Sequence, residues 1–263
     1  MDEPGTIYFT GTAGAGKTTF VRAMADWMKS AGFETTVVNL DPGNESTTLD
    51  PAVDIREWVR LSDLEDEYGL GPNGAQIAAA DMIALKVFEV KQAIEELRTD
   101  YVLIDTPGQV ELFAFREASK AIVDALSGDR SLIAFLFDPA LARSASGFVS
   151  LLLLSATVEF RFRLPMLNVL TKADVLTAEQ LSELKQWAED PPLLYDAVTR
   201  DAPTPDVQLS TELFRAIESV GPLAGLVPTS AKEGTGLEAF YQSAQRVFSG
   251  GEDLEASHTP STE

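Results

Sequence analysis

Cysteine is absent from these 263 residues, and the single histidine, His258, lies in a polar C-terminal stretch. Without thiols there can be no disulfide framework, thiolate zinc site or cysteine nucleophile. One remote imidazole also argues against a histidine-rich metal-handling role. Long apolar runs are missing too. The longest, residues 148–158, is broken by serine and threonine and closes at Glu159, short of the ~20 residues a bilayer-spanning helix needs. Met1-Asp2-Glu3-Pro4 places no basic segment before the first apolar strand, so no secretory signal is expected. The expectation is a soluble, cytoplasmic protein with no membrane association.

Positive charge is scarce. Lysine and arginine total 20 against 41 acidic residues, a net charge of −21. Such a field repels phosphate backbones, so direct nucleic-acid binding is not expected. Only eight lysines are present, against twelve arginines, and three of the eight (Lys17, Lys172 and Lys232) fall inside the motifs described below. An ordinary acidic cytosolic protein would also carry negative charge. The low lysine count favours a proteome adapted to high salt.

Apolar runs alternate with longer amphipathic segments, the pattern of βαβ units around a parallel sheet. The predicted strands are residues 7–9, 35–40, 101–104, 132–137, 166–170 and 226–229, and a helix is predicted over 17–30, with Gly32 as its stop signal. Between 41 and 73 prolines, glycines and scattered charges break the pattern. A helical pattern resumes over about 76–98, and further helices are predicted over 178–189, 211–220 and 237–248. The fold class expected is α/β, a mainly parallel sheet with helices on both faces. One domain spans 1–249, with an insertion at about 41–100. An acidic tail over 250–263 is expected to be disordered.

Gly11-Thr12-Ala13-Gly14-Ala15-Gly16-Lys17-Thr18 fits G-x-x-x-x-G-K-[ST] and sits between a predicted strand and a predicted helix. That context identifies a phosphate-binding loop and a P-loop NTPase fold. The glycines let the backbone N–H groups of Ala13, Gly14, Ala15 and Gly16 turn toward phosphates, and the helix N-terminus adds positive potential. Lys17 is expected on the β- and γ-phosphates, Thr18 on Mg²⁺ and Thr19 in the same cradle.

Asp105 follows the apolar Tyr101-Val102-Leu103-Ile104, at the carboxyl end of a strand where open α/β sheets bind ligands. It is expected to hold Mg²⁺, directly or through water. In Asp105-Thr106-Pro107-Gly108-Gln109, Gly108 can offer its N–H to the γ-phosphate and Gln109 can orient the attacking water. Asp41 ends the preceding strand at the same edge. It is assigned to water positioning or the magnesium shell, against the alternative of a turn-forming residue before Pro42-Gly43.

Thr171-Lys172-Ala173-Asp174 resembles the guanine-reading N-K-x-D motif with threonine for asparagine. The Asp174 carboxylate matches two adjacent guanine donors that adenine lacks, and the Lys172 stem can lie on the purine face. Ser230-Ala231-Lys232, after the next strand, resembles the S-A-K motif that contacts guanine O6. Together they favour GTP over ATP.

These motifs, with Asp54-Ile55-Arg56, Gly71-Pro72-Asn73 and Asp105-Thr106-Pro107-Gly108-Gln109-Val110-Glu111-Leu112-Phe113, resemble the GPN-loop GTPases of the SIMIBI class. The resemblance runs from Thr10 to about Phe248. It implies a homodimer in which Asn73 reaches the phosphates or the attacking water of the partner's site, a GTP/GDP cycle with Mg²⁺, and an unidentified protein client. Relatives are implicated in RNA polymerase assembly. Gly74-Ala75-Gln76 departs from the more glycine-rich sequence expected after the GPN triplet. No obvious arginine finger is visible; Arg56 is a candidate, with a structural salt bridge as the favoured role for a lone arginine there. A P-loop small-molecule kinase, which would not need D-T-P-G-Q, and a non-hydrolysing scaffold are the rival readings.

Overall fold

The computed structural model describes residues 3–43, 49–200, 209, 211–215 and 225–249. The expected acidic tail with His258, and part of the helix expected over 211–220, lie outside the described residues; 211–215 are helical.

Seven parallel strands form one sheet in the order β3-β2-β4-β1-β5-β6-β7. They are β1 (Gly5–Gly11), β2 (Thr35–Asn39), β3 (Val53–Asp54), β4 (Tyr101–Asp105), β5 (Ser131–Phe137), β6 (Met166–Leu170) and β7 (Leu226–Pro228). β1 and β5 are buried along their whole length, as expected of strands covered on both faces. β1 pairs with β4 on one side and β5 on the other. The strand order reverses there, so the loop after β1 opens into the crevice where such sheets bind ligands.

Side chains alternate across the sheet with period two. Ile7 and Phe9 face α1 (Lys17–Ser30) and the last described helix, Leu237–Phe248, in a core that holds Phe20, Met24, Met28 and Phe240. The Phe20 and Phe240 rings meet edge to face, 5.4 Å apart. Tyr8, Phe135 and Phe137 face the opposite core. There Phe137 packs on Phe148 at 5.6 Å and Phe148 on Trp187 at 5.7 Å.

The segment read as irregular is more ordered than its prolines and glycines suggested. It contains the edge strand β3, a 3₁₀ turn (Ile55–Glu57), α2 (Leu61–Tyr68) and the start of α3 (Pro72–Leu85). The single helix expected over 76–98 is two, α3 and α4 (Val87–Glu95), broken at Lys86. The Lys86 N–H is shared between the Met82 and Ile83 carbonyls, a tightened last turn that ends α3 and redirects the chain. The remaining helices before β5 are α5 (Val110–Ala114) and α6 (Glu117–Leu126). Then come α7 (Pro139–Ala142), α8 (Ala145–Phe162), α9 (Ala178–Glu189), α10 (Pro191–Thr199) and α11 (Leu237–Phe248).

By length and composition α8 is apolar enough to cross a membrane. Here Phe148, Leu151, Leu152, Val158 and Phe162 are buried in the core. Its hydrophobicity is therefore spent on packing against the sheet and neighbouring helices.

Candidate nucleotide-binding site

The loop between β1 and α1 carries backbone conformations that only glycine adopts without strain. Gly14 and Gly16 have φ of +79° and +89°. At Gly11 a Cβ would lie 2.7 Å from the Leu136 carbonyl oxygen, so the close approach of β1 to β5 excludes any side chain. Gly16 caps α1 without a side chain, leaving the first helical N–H groups facing the loop.

Lys17 is buried, and its ammonium donates to the carbonyls of Gly11 (3.0 Å), Thr12 (3.0 Å) and Gly108 (2.7 Å). Burial pulls its pKa down, while Asp105, Asp41 and Glu111 support the charge. One cation thus ties the phosphate loop to the segment after β4.

Asp105, at the end of β4, is fully buried and accepts a 2.6 Å hydrogen bond from Thr18 Oγ1 through Oδ2. Its Oδ1 has no hydrogen-bond partner among the described residues. Burial first, and then Asp41, push its pKa up to about 7 against the pull of Thr18 and Lys17. A carboxylate oxygen left without a partner beside a hydroxyl suits a bound cation. Mg²⁺ needs only one or two protein oxygens when phosphates supply the rest. The residues present therefore fit Mg²⁺, with Thr18 and Asp105 as its holders.

Asp41 lies just beyond β2. Asn39 receives its backbone N–H and Asp41 Oδ1 accepts from the Gly43 N–H at 2.9 Å. Burial raises its carboxyl, opposed by the N–H groups of Gly43 and Gly108 and by the charges of Lys17 and Arg56. Gly108 faces it closely: a Cβ there would be 3.9 Å from Asp41 Oδ2. Asp41 thus forms the turn and also faces the segment after β4. Gln109 is exposed at the start of α5. Arg56 takes the structural role, binding Asp54 through Nε at 2.9 Å and 3.0 Å. Burial would raise Asp54, but the Arg56 bonds outweigh it and hold the carboxyl low.

Beyond β6, Thr171 is buried and donates to the carbonyls of Ala15 (2.8 Å) and Phe137 (3.2 Å). It stitches the base-pocket strand to the phosphate loop. Lys172, in a left-handed conformation, donates to Gly14 O at 2.7 Å and pairs with Asp138 at 2.9 Å. Thr19 is exposed on the first turn of α1. Ser230 is buried and donates to Asp174 Oδ1 at 2.7 Å, which is the main cause of that carboxyl's lowered pKa; Lys232 approaches the other oxygen at 3.9 Å. Ala231 follows Ser230 in the turn after β7. Two loops from neighbouring strands thus converge on one carboxylate.

Gly71, Pro72 and Asn73 are exposed, and they start α3 rather than form an isolated turn. Gly71 is the N-cap and Pro72 stands in the first turn, where a missing N–H costs nothing.

Sequence reading missed three residues here. Asp138 extends β5 at the same edge as Asp41 and Asp105, so its position was a usable signal. Asn39, bonded to Asp41 and Asp54, and Gln76 had none.

A family described as a conserved hypothetical ATP binding protein matches residues 9–250. GPN-loop GTPase 3 of Kluyveromyces lactis is 30% identical over 86% of this chain and 85% of its own length. The chain belongs to the GPN-loop GTPase family. A Pyrococcus abyssi GTPase solved in apo form superposes with a TM-score of 0.83 at 28% identity, covering 92% of this chain and 97% of that one. The family's P-loop NTPase fold is therefore also this chain's. The GPN-loop GTPase 2 homolog of Dictyostelium discoideum is 33% identical over 63% of this chain. The chain spans only about half the length of some of the curated relatives it matches.

Proposed function

We propose that this chain hydrolyses GTP to GDP and phosphate as a homodimer, switching shape with its nucleotide to act on a protein client. The observation that carries the reading is the Thr18–Asp105 contact at 2.6 Å, with the second Asp105 oxygen buried and unpartnered beside Lys17. That pairing suits a metal-bound triphosphate. Mg²⁺, when bound, neutralises charge on the phosphates.

The protein's own part is positioning. The phosphate-loop N–H groups and Lys17 hold the γ-phosphate, the Lys17 ammonium exchanging loop carbonyls for phosphate oxygens. Water attacks phosphorus in line, its new P–O bond forming as the bond to the GDP oxygen breaks. Asp41 accepts a hydrogen bond from that water, which its raised pKa favours, and Gln109 orients it. Guanine is preferred over the adenine of the family's description because Asp174, set by Ser230, presents an acceptor to its adjacent donors.

Dimerisation is supported by Leu85, Phe88 and Phe160, each more than three-quarters exposed on α3, α4 and α8, which pack around α6. A contiguous apolar surface formed by them would mark an association site. The exposed Asn73 at the start of α3 would then enter the partner's site. The client, by resemblance, is a multi-subunit assembly such as RNA polymerase, met in the cytoplasm.

Mixing Asn73→Ala with Lys17→Ala protein tests the shared site. Each variant alone is expected to be nearly inactive. Mixed dimers carry one site with an intact Lys17 and an intact partner Asn73, so GTP turnover returns to roughly a quarter of wild type, half the dimers carrying one working site. No recovery on mixing, with mixed dimers present, removes the trans contact.

A further inference from the structure

Helix α3 presents the half-buried Gln76 and Ala80 and the buried Ile83 along one stripe, at i, i+4, i+7 spacing beside its buried face. The three line a cavity of about 30 Å³ with Asp41, Gly108 and Gln109. Such a space exceeds the roughly 10–15 Å³ that a cavity needs to hold one water. Its polar wall is the same group of residues that the hydrolysis reading places around the attacking water. Gln76 Oε1 is buried there with no hydrogen-bond partner among the described residues.

We infer that Gln76 is a water-positioning residue for GTP hydrolysis, its side-chain amide fixing the water that Asp41 and Gln109 also engage. An amide both donates and accepts, so it can bind that water whichever way the group is turned. The inference rests on the hydrolase reading. It also gives α3 two contacts with catalysis: Gln76 acts within its own subunit, while Asn73, one turn earlier, faces outward. Movement of α3 at a dimer contact would then displace the water.

The test is steady-state GTP turnover by wild type, Gln76→Met and Gln76→Glu, with thermal unfolding of each in GDP. Methionine matches the length without hydrogen bonds; glutamate keeps an acceptor at the same reach. Expected is a drop in kcat of about tenfold in Gln76→Met with KM for GTP unchanged, and partial recovery in Gln76→Glu. An unchanged kcat overturns the inference, as does an equal loss in both variants. A fall in kcat matched by a changed KM and a lower unfolding temperature also overturns it, assigning Gln76 to packing. No turnover in wild type overturns the hydrolase reading and this inference together; turnover in wild type that Gln76→Met matches overturns this inference alone.

Discussion

Burial raises Asp105 to about 7, well above the ~3.9 of an exposed aspartate. Between those values the folded protein keeps a proton that the unfolded chain has released. Asp105 therefore leaves stability whole below about pH 4 and reduces it as pH climbs through about 7. Asp105→Asn removes that cost. The ligand-free variant is expected to unfold at a higher temperature than wild type at pH 8, with a smaller difference at pH 5. It should also lose the stabilisation that GTP with Mg²⁺ gives wild type. Thermal scans with and without ligand measure both; equal destabilisation at both pH values would contradict the assignment. Asp174 makes the second prediction. Asparagine there offers a donor where guanine carries its amino group, so GTP affinity should fall roughly a hundredfold. Xanthosine triphosphate, with an oxygen at that place, should gain, as competition binding would show. Lys17, Asp105 and Asp174 were legible in the sequence because each stands in a motif beside a strand end. Gln76 and Asn39 were not, since their meaning comes from what tertiary packing sets against them. Thr171, read as part of the base pocket, also anchors its strand to Ala15, a contact that spacing along the chain cannot express.

Among the elements, strands with continuous apolar runs were readable almost to the residue: β6 and helices α1, α9 and α11 match their expected bounds. α9 owes its sharp start to the Thr177–Gln180 capping box, a signal local in sequence. β3 escaped because two residues carry no periodicity; its existence depends on pairing with β2. α2 escaped for a different reason. Leu61 and Leu64 stand at helical spacing, but acidic residues fill the rest and Gly69, Gly71 and Pro72 follow at once. The break at Lys86 had no proline or glycine to announce it. It is made by hydrogen-bond sharing at the end of α3, and it turns the chain between the buried Ile83 and Val87. The insertion is thus a helical unit whose inner face closes on Asp41 and Gln109 and whose outer face carries Leu85 and Phe88.

At the scale of the molecule, a net charge of −21 means self-repulsion that counter-ions relieve. If the acidity is an adaptation to high salt, the folded state should gain stability steadily as KCl is raised to molar concentrations, measured by denaturant midpoint. Indifference to KCl would remove the halophile reading while leaving the site untouched. The sheet places six candidate site segments at one edge: the phosphate loop after β1, Asp41 after β2, Asp105 at the end of β4, Asp138 after β5, Asp174 after β6 and Ser230 after β7. Hydrolysis of GTP at this edge is read most simply from phosphate release from GTP and from ATP in Mg²⁺, by wild type and Gln109→Ala. Turnover of GTP is expected well above that of ATP, falling at least tenfold in Gln109→Ala as the attacking water loses its orientation. Turnover of ATP at or above that of GTP, or no phosphate release from GTP in either protein, would contradict this reading.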